Sequence, residues 1–162
     1  MPTFQLVGLP PESFAHLNDF SHEELLHRGV RRVVADTKPG YPCRVSLVDA
    51  EVGEELYLLP FEHQTADSPY RASGPIFVRC AALQTILPTG EVPEYVRLRL
   101  ISLRAYDDQH MMIDAQVCEG SAVASEIERH FANQSVSYMH LHNAKRGCFS
   151  CLARRAPAAS EA

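Results

Sequence analysis

Tyr95-Val96-Arg97-Leu98-Arg99-Leu100-Ile101-Ser102-Leu103-Arg104-Ala105-Tyr106, then Asp107-Asp108, then Met111-Met112-Ile113-Asp114-Ala115-Gln116-Val117, is the stretch whose period decides the architecture. Val96, Leu98 and Leu100 alternate with Arg97 and Arg99, which places the two arginines on a solvated sheet face. Ile101 and Leu103 then take the opposite phase, and that flip predicts a bulge near Leu100–Ser102. Beyond the Asp-Asp turn, Met111, Ile113, Ala115 and Val117 alternate again, with Asp114 outward. Two period-two runs joined by a tight turn read as an antiparallel hairpin.

Working outward, Thr3 to Leu9, Val30 to Ala35, Cys43 to Leu47, Glu55 to Phe61, Pro75 to Cys80, Val136 to Asn143 and Cys148 to Ala153 read as further strands. In Cys43-Arg44-Val45-Ser46-Leu47 the alternation turns Cys43, Val45 and Leu47 inward and Arg44 and Ser46 to the other face. Helical spacing is rarer. Pro10-Pro11-Glu12-Ser13 opens one short helix carrying Phe14, Leu17 and Phe20. Ser21-His22-Glu23-Glu24 is a capping box that opens a second, ended by Gly29. Val123, Ile127 and Phe131 recur every four residues after Gly120-Ser121 and predict a longer helix ending near Asn133. Strands joined by short turns with few helices predict an α+β fold: a mainly antiparallel sheet, two short N-terminal helices and one longer helix near the C-terminus. Residues 1–153 read as a single domain and 154–162 as a flexible tail.

A chain of 162 residues, 46% apolar and 22% charged, has the composition of a soluble globular domain able to bury a core without disulfides or metals. Its net charge of −5 offers no basic face for nucleic acid, and no apolar run reaches membrane-spanning length. Met1-Pro2-Thr3-Phe4-Gln5 carries neither the basic region nor the apolar run of a secretory signal. With an odd number of cysteines, five, the expectation is a cytoplasmic protein with reduced thiols. Cys43, Cys80 and Cys118 read as small apolar residues.

Ser68-Pro69-Tyr70-Arg71-Ala72-Ser73-Gly74-Pro75-Ile76-Phe77-Val78-Arg79 joins two prolines, a Ser-Gly pair and two arginines, the make-up of a rigid, positively charged loop. Arg44 and Arg71, with Arg79, are candidates for holding an anion through charge-assisted hydrogen bonds; pairing with surface carboxylates is the alternative. Glu62 beside His63 suits a general acid or base with an orienting carboxylate. His140 and His142 share one strand face, about 6.6 Å apart at Cα, and Cys148 and Cys151 follow. Imidazole and thiolate at that spacing are candidate ligands for zinc or another transition metal, with His63 or Cys148 completing the set. The Cys148-x-x-Cys151 pair is a weaker candidate for a redox dithiol, lacking a following helix.

Tyr41-Pro42-Cys43-Arg44, Phe61-Glu62-His63-Gln64, Ser68-Pro69-Tyr70-Arg71-x-Ser73-Gly74-Pro75 and His140-x-His142-Asn143-Ala144-x-x-Gly147-Cys148-Phe149 together resemble the bacterial domain-of-unknown-function family DUF1203, over roughly Phe4 to Arg154. The resemblance implies that these motifs serve one shared site; the Gly-Cys-Phe cysteine belongs to its pattern and Cys151 does not. The expectation is therefore a polar pocket for an unknown small molecule. Arg44, Tyr70, Arg71, His142 and Asn143 bind it, and His63, Glu62 and His140 move protons, with no cofactor. Two alternatives stand beside it: a metal-dependent enzyme built on His140, His142 and Cys148, and a non-enzymatic interaction module. Nucleic-acid and membrane partners are not expected, and the oligomeric state is open.

Overall fold

Ser21 begins the first α-helix as its spacing predicts: its hydroxyl accepts from Glu24 N–H, and the Glu24 carboxylate accepts from Ser21 N–H. In the computed structural model, which describes residues 3–157, this helix is α1 (His22–His27). Gly29, at φ +75°, ends it. The helical spacing of Phe14 and Leu17 is realised as two 3-10 turns, Pro11–Ser13 and Ala15–Asp19.

Ten strands follow the alternating runs: β1 (Phe4–Val7), β2 (Arg31–Val34), β3 (Pro42–Cys43), β4 (Val48–Asp49), β5 (Glu55–Gln64), β6 (Ala72–Arg79), β7 (Leu100–Tyr106), β8 (Met112–Glu119), β9 (Tyr138–Asn143) and β10 (Phe149–Arg155). They form two five-stranded sheets, ordered β1-β10-β9-β7-β8 and β2-β5-β6-β3-β4. The first is wholly antiparallel; the second has one parallel pair, Cys43 beside Phe77. The fold is α+β with mainly antiparallel sheets. The helix α3 (Val123–Phe131) buries Val123, Ile127 and Phe131 against Ile101, Leu103, Met139 and Leu141 of the first sheet. The N-terminal turns and α1 bury Phe14, Leu17 and Leu25 with Tyr57, Ile76 and Val78 of the second.

Several expectations are corrected. Tyr95 and Val96 lie in a short helix, α2 (Glu94–Arg97), capped by Pro93, so the phase flip marks a helix-to-strand junction. The bulge of this hairpin falls between Ala105 and Tyr106 instead. Arg99 is ion-paired with Asp49 and not solvated. On β8 the alternation holds but its sign is reversed: Ile113 and Val117 face solvent, while Asp114 reaches toward His130 of α3, with 3.3 Å between Oδ2 and Nε2. Of the predicted 43–47 strand only Cys43 lies in a strand, with Pro42 in β3; Leu47, at φ 55°, closes a turn in which its N–H donates to Cys43. Arg44 is buried rather than outward. The Pro-rich segment is a loop only as far as Arg71, after which Ala72–Arg79 pairs with β5 as a hairpin. Arg154 and Arg155, assigned above to the tail, pair with Gln5 and Phe4 in β10; residues 158–162 lie outside the described residues.

The seam between α2 and the end of β8 is tight. A Cβ on Gly120 would sit 2.2 Å from the Val96 carbonyl oxygen and 2.6 Å from that of Arg97. Gly74 has nothing within 4 Å. Gly120→Ala is therefore expected to lower unfolding free energy by about 2 kcal/mol or more, and Gly74→Ala to leave it within about 0.5 kcal/mol or raise it slightly. Urea denaturation of the two variants side by side checks this, and equal midpoints would refute the close approach.

Candidate functional site

The two sheets meet at a cleft of about 480 Å³. Its walls are the 37–44 segment (Tyr41, Pro42, Arg44), Phe77 of β6, the α2–β7 junction (Leu98, Arg99, Leu100) and the β9–β10 turn (Asn143, Lys145, Arg146, Cys148). That turn is a tight connection: Asn143 N–H donates to Cys148, Gly147 N–H donates to Asn143, and Gly147 takes φ +79°.

Arg44 forms the floor and is 1% exposed. Its backbone is fixed on both sides, N–H donating to Phe77 and C=O accepting from Leu9. Nε donates to the Phe149 carbonyl at 2.7 Å, Nη1 to the Pro42 carbonyl at 2.5 Å, and Nη2 to Cys148 Sγ at 3.0 Å. Asn143 Nδ2 lies 3.8 Å from the same sulfur, and Asn143 Oδ1, buried, has no partner. Among the described residues no carboxylate pairs with Arg44, Lys145 or Arg146. The fourth cation, Arg99, is neutralised by Asp49 through contacts of 2.7 and 3.0 Å. A protein of net charge −5 thus concentrates three uncompensated positive charges around one opening.

Behind this cleft, His63 of β5 meets His140 and His142 of β9, with ring centroids 4.8 Å apart for His63–His142, 6.1 Å for His63–His140 and 6.4 Å for His140–His142. Phe149 stacks on His63 at 5.6 Å, and Tyr106 and Tyr138 lie 5.1 and 5.3 Å from His140. His142 Nδ1 lies 3.0 Å from the Gly147 carbonyl, which only accepts, so Nδ1 carries the proton and Nε2 a free lone pair. That Nε2, His63 Nδ1 and His140 Nδ1 are buried without partners. Burial pushes His140 down to about 3, with help from His142, His63 and Arg104, and His142 down to about 4, where the Gly147 carbonyl opposes it and Arg104, His63 and Arg44 add to it. His63 is lowered by burial and then by Arg104. All three are neutral imidazoles at pH 7.

The predicted residues therefore fall into two groups joined at Phe149, whose carbonyl serves Arg44 and whose ring serves His63. Arg44 and Asn143 line the cleft; His63, His140 and His142 form the imidazole cluster, bordered through Tyr106 by Tyr70. Glu62 and Arg71 join neither: they pair with each other at 3.2 Å on the exposed surface, and no hydrogen bond links Glu62 to His63 among the described residues. Arg79 pairs with Glu54 at 2.7 Å, so the three-arginine anion pocket does not assemble. A base titrating near 3 is poorly matched to neutral pH, which disfavours His140 for proton transfer. Among the described residues no three His, Cys, Asp or Glu side chains are disposed around a common metal position, and Cys148 turns to Arg44 rather than to the imidazoles. Sequence reasoning missed Lys145, Arg146 and Tyr41 as cleft residues. The Lys145-Arg146-Gly147 run ahead of Cys148 was the available signal.

The buried neutral histidines give stability a defined pH dependence. The unfolded chain titrates them at about 6.5, above the folded values of about 3 and about 4, so it binds protons first as the pH falls. Their contribution is complete above about pH 6.5 and is lost as the pH drops toward 4. By pH 5 the loss is about 2 kcal/mol for each of the two. Urea unfolding at pH 7.5 and 5.0 measures it; His140→Phe is expected to remove about half of the difference, and equal stability at the two pH values would contradict the neutral, desolvated state.

No curated protein and no solved structure matches the chain. Among the described residues no helix is long and apolar enough to cross a membrane. The family described as protein of unknown function (DUF1203) matches residues 40–155, a span that holds Arg44, the three clustered histidines, Asn143 and Cys148. The chain belongs to the DUF1203 family.

Proposed function

We propose that the inter-sheet cleft binds a small molecule through an anionic group, with Arg44 and Asn143 at its floor and Lys145 and Arg146 at its rim. One observation carries this reading: Arg44 is 1% exposed, yet its three hydrogen bonds end on two carbonyls and a sulfur, and no carboxylate among the described residues balances it. A buried charge without a counter-ion costs several kcal/mol. An anion bound at the mouth of the cleft offsets that cost, and the partnerless Asn143 Oδ1 supplies an acceptor beside it. Lys145 and Arg146 are exposed and free to draw an anion in by long-range attraction.

A volume near 480 Å³ suits a metabolite-sized ligand. Tyr41, Phe77 and Leu98 supply the apolar wall that would hold its carbon skeleton. The neutral imidazoles are not anion ligands in this scheme; they support the floor from behind through Phe149. A cytoplasmic setting, in which thiols stay reduced, suits the five free cysteines.

Thermal unfolding with inorganic phosphate, acetate, succinate and citrate, each against chloride at matched ionic strength, tests the reading. At a hundredfold excess over Kd the midpoint is expected to rise by roughly 5 °C or more. Arg44→Gln should abolish the response. Lys145→Ala with Arg146→Ala, on the surface and harmless to folding, should weaken apparent affinity about tenfold. No shift beyond chloride with any of the four anions would remove the proposal.

A further inference from the structure

We propose that Cys148 is a nucleophile, and that the molecule held in the cleft is an anion carrying an electrophilic carbon within reach of its sulfur. This rests on the anion-binding reading above and deepens it. Three independent features of the site converge on Sγ. Arg44 Nη2 donates to it at 3.0 Å from a guanidinium that is otherwise surrounded by carbonyls, so sulfur is the one atom in contact with Arg44 able to carry a full negative charge. Asn143 Nδ2 lies 3.8 Å from the same sulfur, and the buried oxygen of that amide, without a partner, is left for a donor on the occupant of the cleft. Cys148 itself lines an open cleft rather than the core.

The chain supplies its own controls. Cys43 and Cys151 are 0% and 1% exposed, and burial pushes the Cys151 thiol up to about 12. Cys80 and Cys118 are half-buried; burial raises both thiols, and Glu126 and Glu119 raise Cys118 further. Cys80 lines a smaller pocket beside Arg79, but Glu54 pairs with that arginine, and Cys118 has acidic neighbours only. Reactive cysteines occupy electropositive, partly open surroundings, and of the five Cys148 is the one that meets a guanidinium without a carboxylate partner among the described residues and lines its cleft.

The chemistry balances without a cofactor. The thiol proton passes to water in the cleft, and Arg44 and Asn143 hold the resulting sulfur anion. Its electron pair forms a carbon–sulfur bond while the bond from that carbon to the leaving group breaks, the leaving group departing with its pair. Lys145 and Arg146 keep the anionic end of the substrate at the rim. No hydrogen bond joins an imidazole to Sγ among the described residues, so the step proceeds without one.

Iodoacetate and iodoacetamide are the probes, since both form the carbon–sulfur bond with loss of iodide and only the first is an anion. The full chain is treated at pH 7 with limiting reagent and its peptides mapped by mass. Cys148 is expected to be labelled at least tenfold faster than Cys80 or Cys118, with a higher iodoacetate-to-iodoacetamide rate ratio than either. Cys148→Ser should remove the fast phase, and Asn143→Ala should slow it several-fold even if Arg44→Gln fails to fold. Labelling of Cys148 no faster than Cys80 with both reagents overturns the nucleophile and leaves the anion-binding reading to its own thermal test. Fast labelling by both without an iodoacetate preference overturns the anionic substrate class.

Discussion

The guanidinium of Arg44 is the interaction on which the junction of the two sheets depends. It arises from the short β3 region of one sheet and spends two of its donors on residues 148 and 149 of the other. Hydrogen bonds from a charged donor are each worth about 1.5–3 kcal/mol. Truncating the side chain would also leave the buried Pro42 and Phe149 carbonyls without their donors. The same group that locks the sheets together is the unbalanced charge that makes the cleft a candidate site. The sheet junction and the candidate site draw on one side chain, so neither can be altered alone.

The histidine cluster is the complement of that arrangement. Where Arg44 is a buried charge, His140 and His142 are buried and His63 half-buried, and desolvation first, nearby cations second, keeps them from becoming charged. Aromatic rings rather than carboxylates surround them. Gln64 and Tyr138 continue the polar seam outward, Gln64 Nε2 donating to the Tyr138 hydroxyl at 3.0 Å, with His110 Nδ1 2.7 Å from the same oxygen. Unpaired ring nitrogens in such a setting cost stability, which the aromatic packing around them offsets.

Much of the architecture was legible where a local rule decides it. The Ser21–Glu24 capping box, the Val123–Ile127–Phe131 stripe and the Asp107-Asp108 turn each contain their own explanation within a few residues. Alternation, however, gives a period and not a sign. On β8 it grouped Ile113 with Val117 but could not say that α3 would cover the other face. The four residues of α2 are too few to display a helical repeat, so Tyr95 and Val96 read as strand. For the site, the motif resemblance picked out Arg44, His63, His140, His142 and Asn143, which the fold gathers around Phe149. It equally picked out Glu62 and Arg71, which form a surface pair. The contact of Arg44 with Phe149 spans 105 positions along the chain, and no local pattern encodes it.

Phe149 presents its carbonyl to one cluster and its ring to the other, and the register shift of β10 between Phe149 and Cys151 lets it do so at the very start of the strand. Carbonyl and ring hang from the same residue, so a displacement of the Phe149 backbone carries both. If the proposed anion displaced the Arg44 guanidinium, Phe149 would be the neighbour it shares with the imidazoles. Ring-current shifts on the neighbouring histidine protons would register occupancy from a place the occupant never touches.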